Sequence, residues 1–317
     1  MLSELPKLFG RSFAVGYFLP AIIGAIAFIS VDAALGDGRT SNWLKSVDGI
    51  LDLTVGLAIV WLLAVLLMAL NRLIHRAYEG YLLPHKWIRD WLLARIRKRH
   101  EALRSELQLL DEKYDDLTQA QHSRRAKLSQ RLAQEYPEEI HLLPTRFGNV
   151  IRAFETYPRI MYGLDDIPGW LRLLGVLPET YRVLIEDLKA MTDFWLNLRL
   201  ITLLIAVLAI VFLVRGYGSP LLVPAIIVVW TLFDLLLSYA SRDAAIQWGE
   251  TVKAAYDVYL PKLREEMRLS EPTDADDEFR QWQSFSRAVI YRRRDQLPPR
   301  RLSTEPAAST KRRRSTS

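Results

Sequence analysis

Four long apolar runs dominate this chain: Phe13 to Val31, Leu53 to Leu70, Phe194 to Val214 and Leu221 to Ala240. At about 1.5 Å of rise per residue, a helix of this length covers roughly 30 Å of hydrocarbon. A soluble core of ordinary size has no room for four such stretches. They predict an all-α integral membrane protein with four transmembrane helices, arranged as two hairpins around a helical cytoplasmic domain. The expected segments are a cytoplasmic N-terminal stub (1–12), hairpin 1 (13–71), a cytoplasmic helical domain (72–193) and hairpin 2 (194–240). A helical extension of the fourth span (241–271) and a largely disordered basic tail (272–317) complete the plan.

Orientation follows from Lys and Arg, because short loops rich in them stay cytoplasmic. The connections 32–52 and 215–220 contain only Arg39, Lys45 and Arg215, so both termini and the central segment are expected in the cytoplasm, at a bacterial inner membrane. A cleavable signal peptide is the competing reading of the first run, since Lys7 and Arg11 precede it and Val31-Asp32-Ala33 resembles a cleavage site. The run is long for a signal core, and cleavage would place a basic segment outside.

The chain contains no cysteine, which excludes disulfides, thiolate metal sites and a cysteine nucleophile. Its five histidines are dispersed without the i,i+4 pairing of a metal site, and no phosphate-cradling glycine loop or nucleophile elbow occurs. Neither a cofactor nor a metal is indicated, and an enzyme is the least supported class.

From Lys86 to Tyr136 there is neither Gly nor Pro, and Ile96, Leu103, Leu107, Leu110, Tyr114, Leu117 and Leu128 repeat at three- and four-residue spacing. This is a coiled-coil seam, formed either by one long rod or by a hairpin turning within Thr118–Arg125. Amphipathic helices covered by the same chain show the same period.

After Pro137 the helices become short. The run Leu143-Pro-Thr-Arg-Phe-Gly-Asn-Val-Ile-Arg-Ala-Phe-Glu155, continued by Tyr162-Gly-Leu-Asp165, resembles a signature of uncharacterised bacterial multi-span membrane proteins. The resemblance implies a membrane protein and brings no activity with it. Around this run, Arg146, Arg152, Glu155, Arg159, Asp165 and Asp166 form a candidate membrane-proximal polar network, either structural or a site for an anionic ligand. Trp170 to Leu174 lies either in the headgroup layer, with Arg172 at its polar edge, or in a domain core. Arg292, Arg293, Arg294, Arg312, Arg313 and Arg314 in the tail are further candidates for anionic lipid head groups; nucleic acid is disfavoured, because Tyr291 alone offers a stacking ring. A short helix is expected near Phe279 to Tyr291.

Charge inside a membrane is costly and needs a partner. Counted from their cytoplasmic ends, Arg199 and Asp234 sit at matching depth, within about 2 Å along the axis, so they are expected to pair. The alternative is that Asp234 serves an ion path. Gly16, Pro20 and Gly24 line one face of the first span and suit close helix packing, within the chain or between copies. Two function classes follow: a non-enzymatic membrane-anchored scaffold or signal-responsive module with protein partners and self-association, or an oligomeric small channel gated by the cytoplasmic domain.

Overall fold

The computed structural model describes residues 10–36, 38, 40, 42, 50–216 and 219–299. It is all-helical, with no strand among the described residues. In chain order the helices are α1 (Arg11–Leu35), α2 (Ile50–Glu79), α3 (Lys86–Glu112), α4 (Gln119–Glu135) and α5 (Arg146–Glu155). They continue with α6 (Tyr157–Tyr162), α7 (Asp166–Val176), α8 (Glu179–Val214), α9 (Val223–Glu266) and α10 (Ala275–Ile290). Four stretches are long and apolar enough to cross a membrane: Arg11–Leu35, Thr54–Glu79, Glu179–Val214 and Pro220–Glu266. The third begins upstream of the expected border at 194, because nothing between Glu179 and Phe194 breaks a helix, and the fourth continues past 240 as a helical extension to Glu266, with Pro261 inside it.

The chain divides into two compact units. The first comprises α1–α5, α8 and α9 as far as Lys253. In it α8 packs mainly on α1 and also on α2, so the three form one bundle that joins helices from both expected hairpins. The flank of α9 stays open, with Val228, Val229, Leu232, Leu235 and Leu236 all more than half exposed.

The seam residues of α3 and α4 close on each other. Ile96, Leu103, Leu128, Tyr136 and Leu142 form one buried cluster, with Leu93, Leu107, Leu110 and Leu132 against it. The segment 86–136 is therefore a hairpin that covers its own apolar stripe, and the stripe needs no second chain. Its turn falls at Lys113–Thr118, just upstream of the expected position. There Thr118 and Gln121 make a reciprocal capping box, which starts α4 and sets the turn. His100 is buried in this cluster 5.2 Å from the Tyr136 ring. Burial and the nearby Arg104 push its pKa below the usual histidine value. The unfolded chain thus binds the proton more readily, and stability falls as pH drops below about 6.5. The melting midpoint should decline more between pH 7.5 and 5.5 in the wild type than in His100→Gln; equal declines would show that His100 is not the group responsible.

α5 is held against the end of α2 by the run Leu143 to Glu155. Thr145 Oγ1 donates to the Tyr78 carbonyl at 2.8 Å and accepts from Gly148 N at 2.9 Å. Asn149, fully buried, accepts from Leu143 N at 2.8 Å and donates to the carbonyls of Leu143 and Thr145 at 2.8 and 2.6 Å. A Cβ on Gly148 would come within 2.5 Å of the Glu79 carbonyl oxygen, so only glycine permits this approach.

The second unit comprises residues 156–178 and 254–299 of the described chain. Its core contains Leu164, Leu173, Tyr256, Leu260, Trp282 and Phe285, all 2 % exposed or less. The short helix expected near Phe279 to Tyr291 is α10, which starts four residues earlier, at Ala275. Asp274 accepts from Asp277 N at 2.7 Å and caps the helix, and Trp282 and Phe285 are buried one turn apart. Buried Arg264 donates to Gln281 and Glu278 at 2.6 and 3.1 Å and lies 5.0 Å from the Trp282 ring centre, tying α10 to the end of α9.

Candidate functional site

Asp193 on α8 is only 2 % exposed, the deepest charged side chain among the described residues. A carboxylate at that depth is tolerated only when its lone pairs are used. Its Oδ2 accepts from Tyr17 Oη at 2.8 Å and Lys189 Nζ at 2.7 Å, and its Oδ1 accepts from His75 Nε2 at 2.7 Å. The other imidazole nitrogen, Nδ1, is 3.9 Å from Glu79 Oε1. One carboxylate thus gathers donors from α1, α2 and its own helix.

Local sequence places each donor. Tyr17 lies in a π-helical turn, Ala14–Phe18, at the start of α1. Pro20 has no N–H to offer the Gly16 carbonyl one helical turn earlier. Asn197 Nδ2 supplies that hydrogen bond instead, at 2.8 Å. Such widened turns often mark functional positions. A Cβ on Gly16 would already touch the Ala190 carbonyl oxygen and Asp193 Cβ at 3.4 Å, and one on Gly24 would meet Ile201 at 3.0 Å. The face made by Gly16, Pro20 and Gly24 is buried, and its glycines lie against α8 of the same chain.

Two turns further along α8, Arg199 Nε donates to Asp234 Oδ1 at 2.9 Å and Nη2 to Oδ2 at 3.1 Å. This two-pronged pair joins α8 to α9, and the guanidinium also sits 4.4 Å above the Tyr78 ring of α2. Removing either partner leaves the other charge without its mate. Arg199→Gln and Asp234→Asn should each lower stability in mild detergent by about 3 kcal/mol, read by thermal melting, and the double variant should lose little more than either single one. Strictly additive losses would show that the pair is not a unit.

Beside this pair runs an open apolar groove of about 470 Å³ between α1, α8 and α9, lined by Ile23, Ala27, Ile201, Ala206, Trp230 and Phe233. Asp193 and the Arg199–Asp234 pair are matched across helices, whereas Trp230 Nε1 beside the groove, Asn71 Oδ1 and Asn197 Oδ1 are buried without a hydrogen-bond partner. Comparison with known proteins adds no parallel. No family model, curated protein or solved structure matches this chain.

The six residues expected to form one polar network fall in both units. In the first unit Arg152 pairs with Glu155 at 3.3 Å and hydrogen-bonds the Tyr81 hydroxyl. In the second, Arg159 lies 3.7 Å from Asp165, and Asp166 accepts from Tyr256 Oη at 3.2 Å. Arg146 joins neither pair. Trp170 packs 6.0 Å from Tyr256, and Arg172 donates to the Pro168 carbonyl at 2.7 Å and lies 5.3 Å from the Phe285 ring centre. α7 therefore contributes to the core of the second unit. Arg292, Arg293 and Arg294 are exposed where α10 ends, with Arg293 N closing onto the Ala288 carbonyl at 2.9 Å. Arg312, Arg313 and Arg314 lie outside the described residues. Among the described residues no group of three or more His, Asp or Glu is placed to hold a metal ion.

The Asp193 cluster has a readable trace in the sequence only in part. Lys189, Asp193 and Asn197 recur every four residues, as do Asn71, His75 and Glu79, so each row marks a polar stripe on an apolar helix. Which stripe meets which is not written there: His75 and Asp193 are 118 residues apart.

Proposed function

We propose that the protein is a non-enzymatic, membrane-anchored helical scaffold or signal-responsive module of a bacterial inner membrane. Its termini and the α3–α4 hairpin face the cytoplasm, and it binds protein partners through the outward faces of the cytoplasmic helices. The observation that carries this reading is the use made of the two carboxylates set among the apolar helices. Asp193 and Asp234 are each engaged by donors from neighbouring helices, which holds a bundle together and leaves little polarity to line a conduit. The orientation draws on the concentration of Lys and Arg outside the two short connections. Tyr81, Trp87 and Trp91, all exposed within twelve residues of the end of α2, suit the headgroup layer where that helix would leave the membrane.

The scaffold reading moves self-association away from the 86–136 seam and the Gly16 face, since both are covered within one chain. An oligomeric small channel is the alternative. It is favoured by the exposed flank of α9, from Val228 to Leu236, which a second copy could cover. Native mass spectrometry of the full chain in lipid nanodiscs, followed by conductance recording in planar bilayers, separates the two. The scaffold predicts a monomer or dimer without conductance. A ring-sized oligomer that conducts would replace it with the channel.

A further inference from the structure

The first turns of α3 present two faces of opposite use. Ile96 and Leu103 are buried in the hairpin with α4. Trp87 precedes Ile96 by nine residues, about two and a half helical turns, so it stands on the face turned away from that seam. Trp91, Arg95 and Lys98 follow Trp87 at intervals of four, four and three residues and continue the same outer face.

Both indoles on this face are open, Trp87 being 70 % exposed and Trp91 59 %. The His85 ring stacks beside Trp87 with centroids 6.4 Å apart, and the Arg95 guanidinium turns back to 5.9 Å from the Trp91 ring centre. Apolar rings and positive charge therefore share one stripe. Around it, residues 86–99 hold Lys86, Arg89, Arg95, Arg97, Lys98 and Arg99 against a single acid, Asp90, whose carboxylate lies 3.6 Å from Arg89. The position of the stripe decides what it meets. Trp87 and Trp91 come eight and twelve residues after Glu79, the last residue of the apolar helix α2, with exposed Tyr81 and Leu82 in between. Indole rings are favoured at the boundary between hydrocarbon and water, and Lys and Arg there gain from an anionic leaflet. A soluble acidic partner would match the cations alone and leave two large rings in water.

We propose that Trp87, Trp91, Arg95 and Lys98 form a docking stripe for anionic phospholipid in the leaflet at which α2 ends. The two indoles enter the headgroup layer, and Arg95 and Lys98 lay their aliphatic stems along it and bring their charges to the lipid phosphates. The stripe holds the α3–α4 hairpin to the bilayer surface by the face that the hairpin's own core leaves free. This inference rests on the reading of α2 as a membrane span.

The chain contains no cysteine, so a single spin label can be placed without background. Trp87→Cys, Trp91→Cys and, as an aqueous reference, Ser123→Cys at the exposed start of α4 are labelled in the full-length protein and inserted into nanodiscs of phosphatidylcholine with phosphatidylglycerol. Relative to a water-soluble nickel chelate, the labels at 87 and 91 are expected to collide severalfold more with oxygen, which concentrates in lipid, than the label at 123. In a second measurement, native mass spectrometry counts the phosphatidylglycerol retained by the wild type, by Arg95→Gln/Lys98→Gln and by Lys113→Gln/Lys127→Gln, which removes equal charge nearer the tip of the hairpin. The first variant should lose about tenfold or more in its preference for phosphatidylglycerol over phosphatidylcholine, and the second should match the wild type. The proposal is overturned if the labels at 87 and 91 meet the nickel chelate as freely as the label at 123, or if they exclude both probes, which would mean that a protein surface covers them. It is overturned equally if Arg95→Gln/Lys98→Gln retains as much phosphatidylglycerol as Lys113→Gln/Lys127→Gln. A chain that does not enter nanodiscs overturns the membrane reading and the stripe with it, whereas aqueous labels in an inserted chain overturn the stripe alone.

Discussion

Replacing Asp193 by alanine is expected to lower the stability of the full chain by about 3–5 kcal/mol, the cost of removing one partner from a buried charged network. Lys189 can turn to water, since its side chain is 40 % exposed. Tyr17 and His75 cannot do so as easily: the Tyr17 residue is 8 % exposed and the His75 side chain 13 %. The loss should therefore concentrate on the contacts of α1 and α2 with α8. Thermal melting in mild detergent measures it, and Tyr17→Phe should cost about 1–2 kcal/mol in the wild type but almost nothing once Asp193 is alanine. Full additivity of the two substitutions would mean that Tyr17 and Asp193 do not act as one unit. An unchanged melting temperature in Asp193→Ala would remove the cluster as the clamp of the bundle.

Replacing Asn149 by alanine is expected to cost about 3 kcal/mol. The side chain is fully buried and makes three hydrogen bonds, and its loss leaves Leu143 N and the carbonyls of Leu143 and Thr145 to find other partners. Asn149→Asp should be no milder, because a carboxylate still accepts from Leu143 N but turns two favourable contacts with carbonyl oxygens into repulsion. Both variants should increase protease cleavage near residues 143–155, where the turn holds α5 against α2. A variant that melts and resists protease like the wild type would show that the turn is set by Pro144 and Thr145 alone.

These two residues mark how far the sequence could be read. The run from Leu143 to Glu155 stands out by its composition, yet its own residues do not reveal that Thr145 reaches the Tyr78 carbonyl, 67 residues away, or that Gly148 is required by the Glu79 backbone. The Arg199–Asp234 contact was more accessible, because two helices joined by a short turn must run antiparallel and depth can be counted from their ends. The 86–136 seam gave its period but not its partner: a three- and four-residue repeat is the same whether another chain or the returning helix covers it. The short helix near Phe279 was legible, but its start was not: Asp274, Asp276, Asp277 and Glu278 read as a solvated acidic run and serve here as the cap and negatively charged first turn of α10.

What the sequence determined by itself is the all-helical class, the four apolar helices and the absence of thiol chemistry. Run length, helical period and composition are local properties, and each is readable without knowing any neighbour. Only the tertiary structure decided that α8 packs against α1 and α2, and that Asp193 receives a phenol, an imidazole and an ammonium. Those groupings depend on the rotation and axial register of helices far apart in the chain, where a shift of one residue turns a side chain by about 100° and would carry each group out of reach.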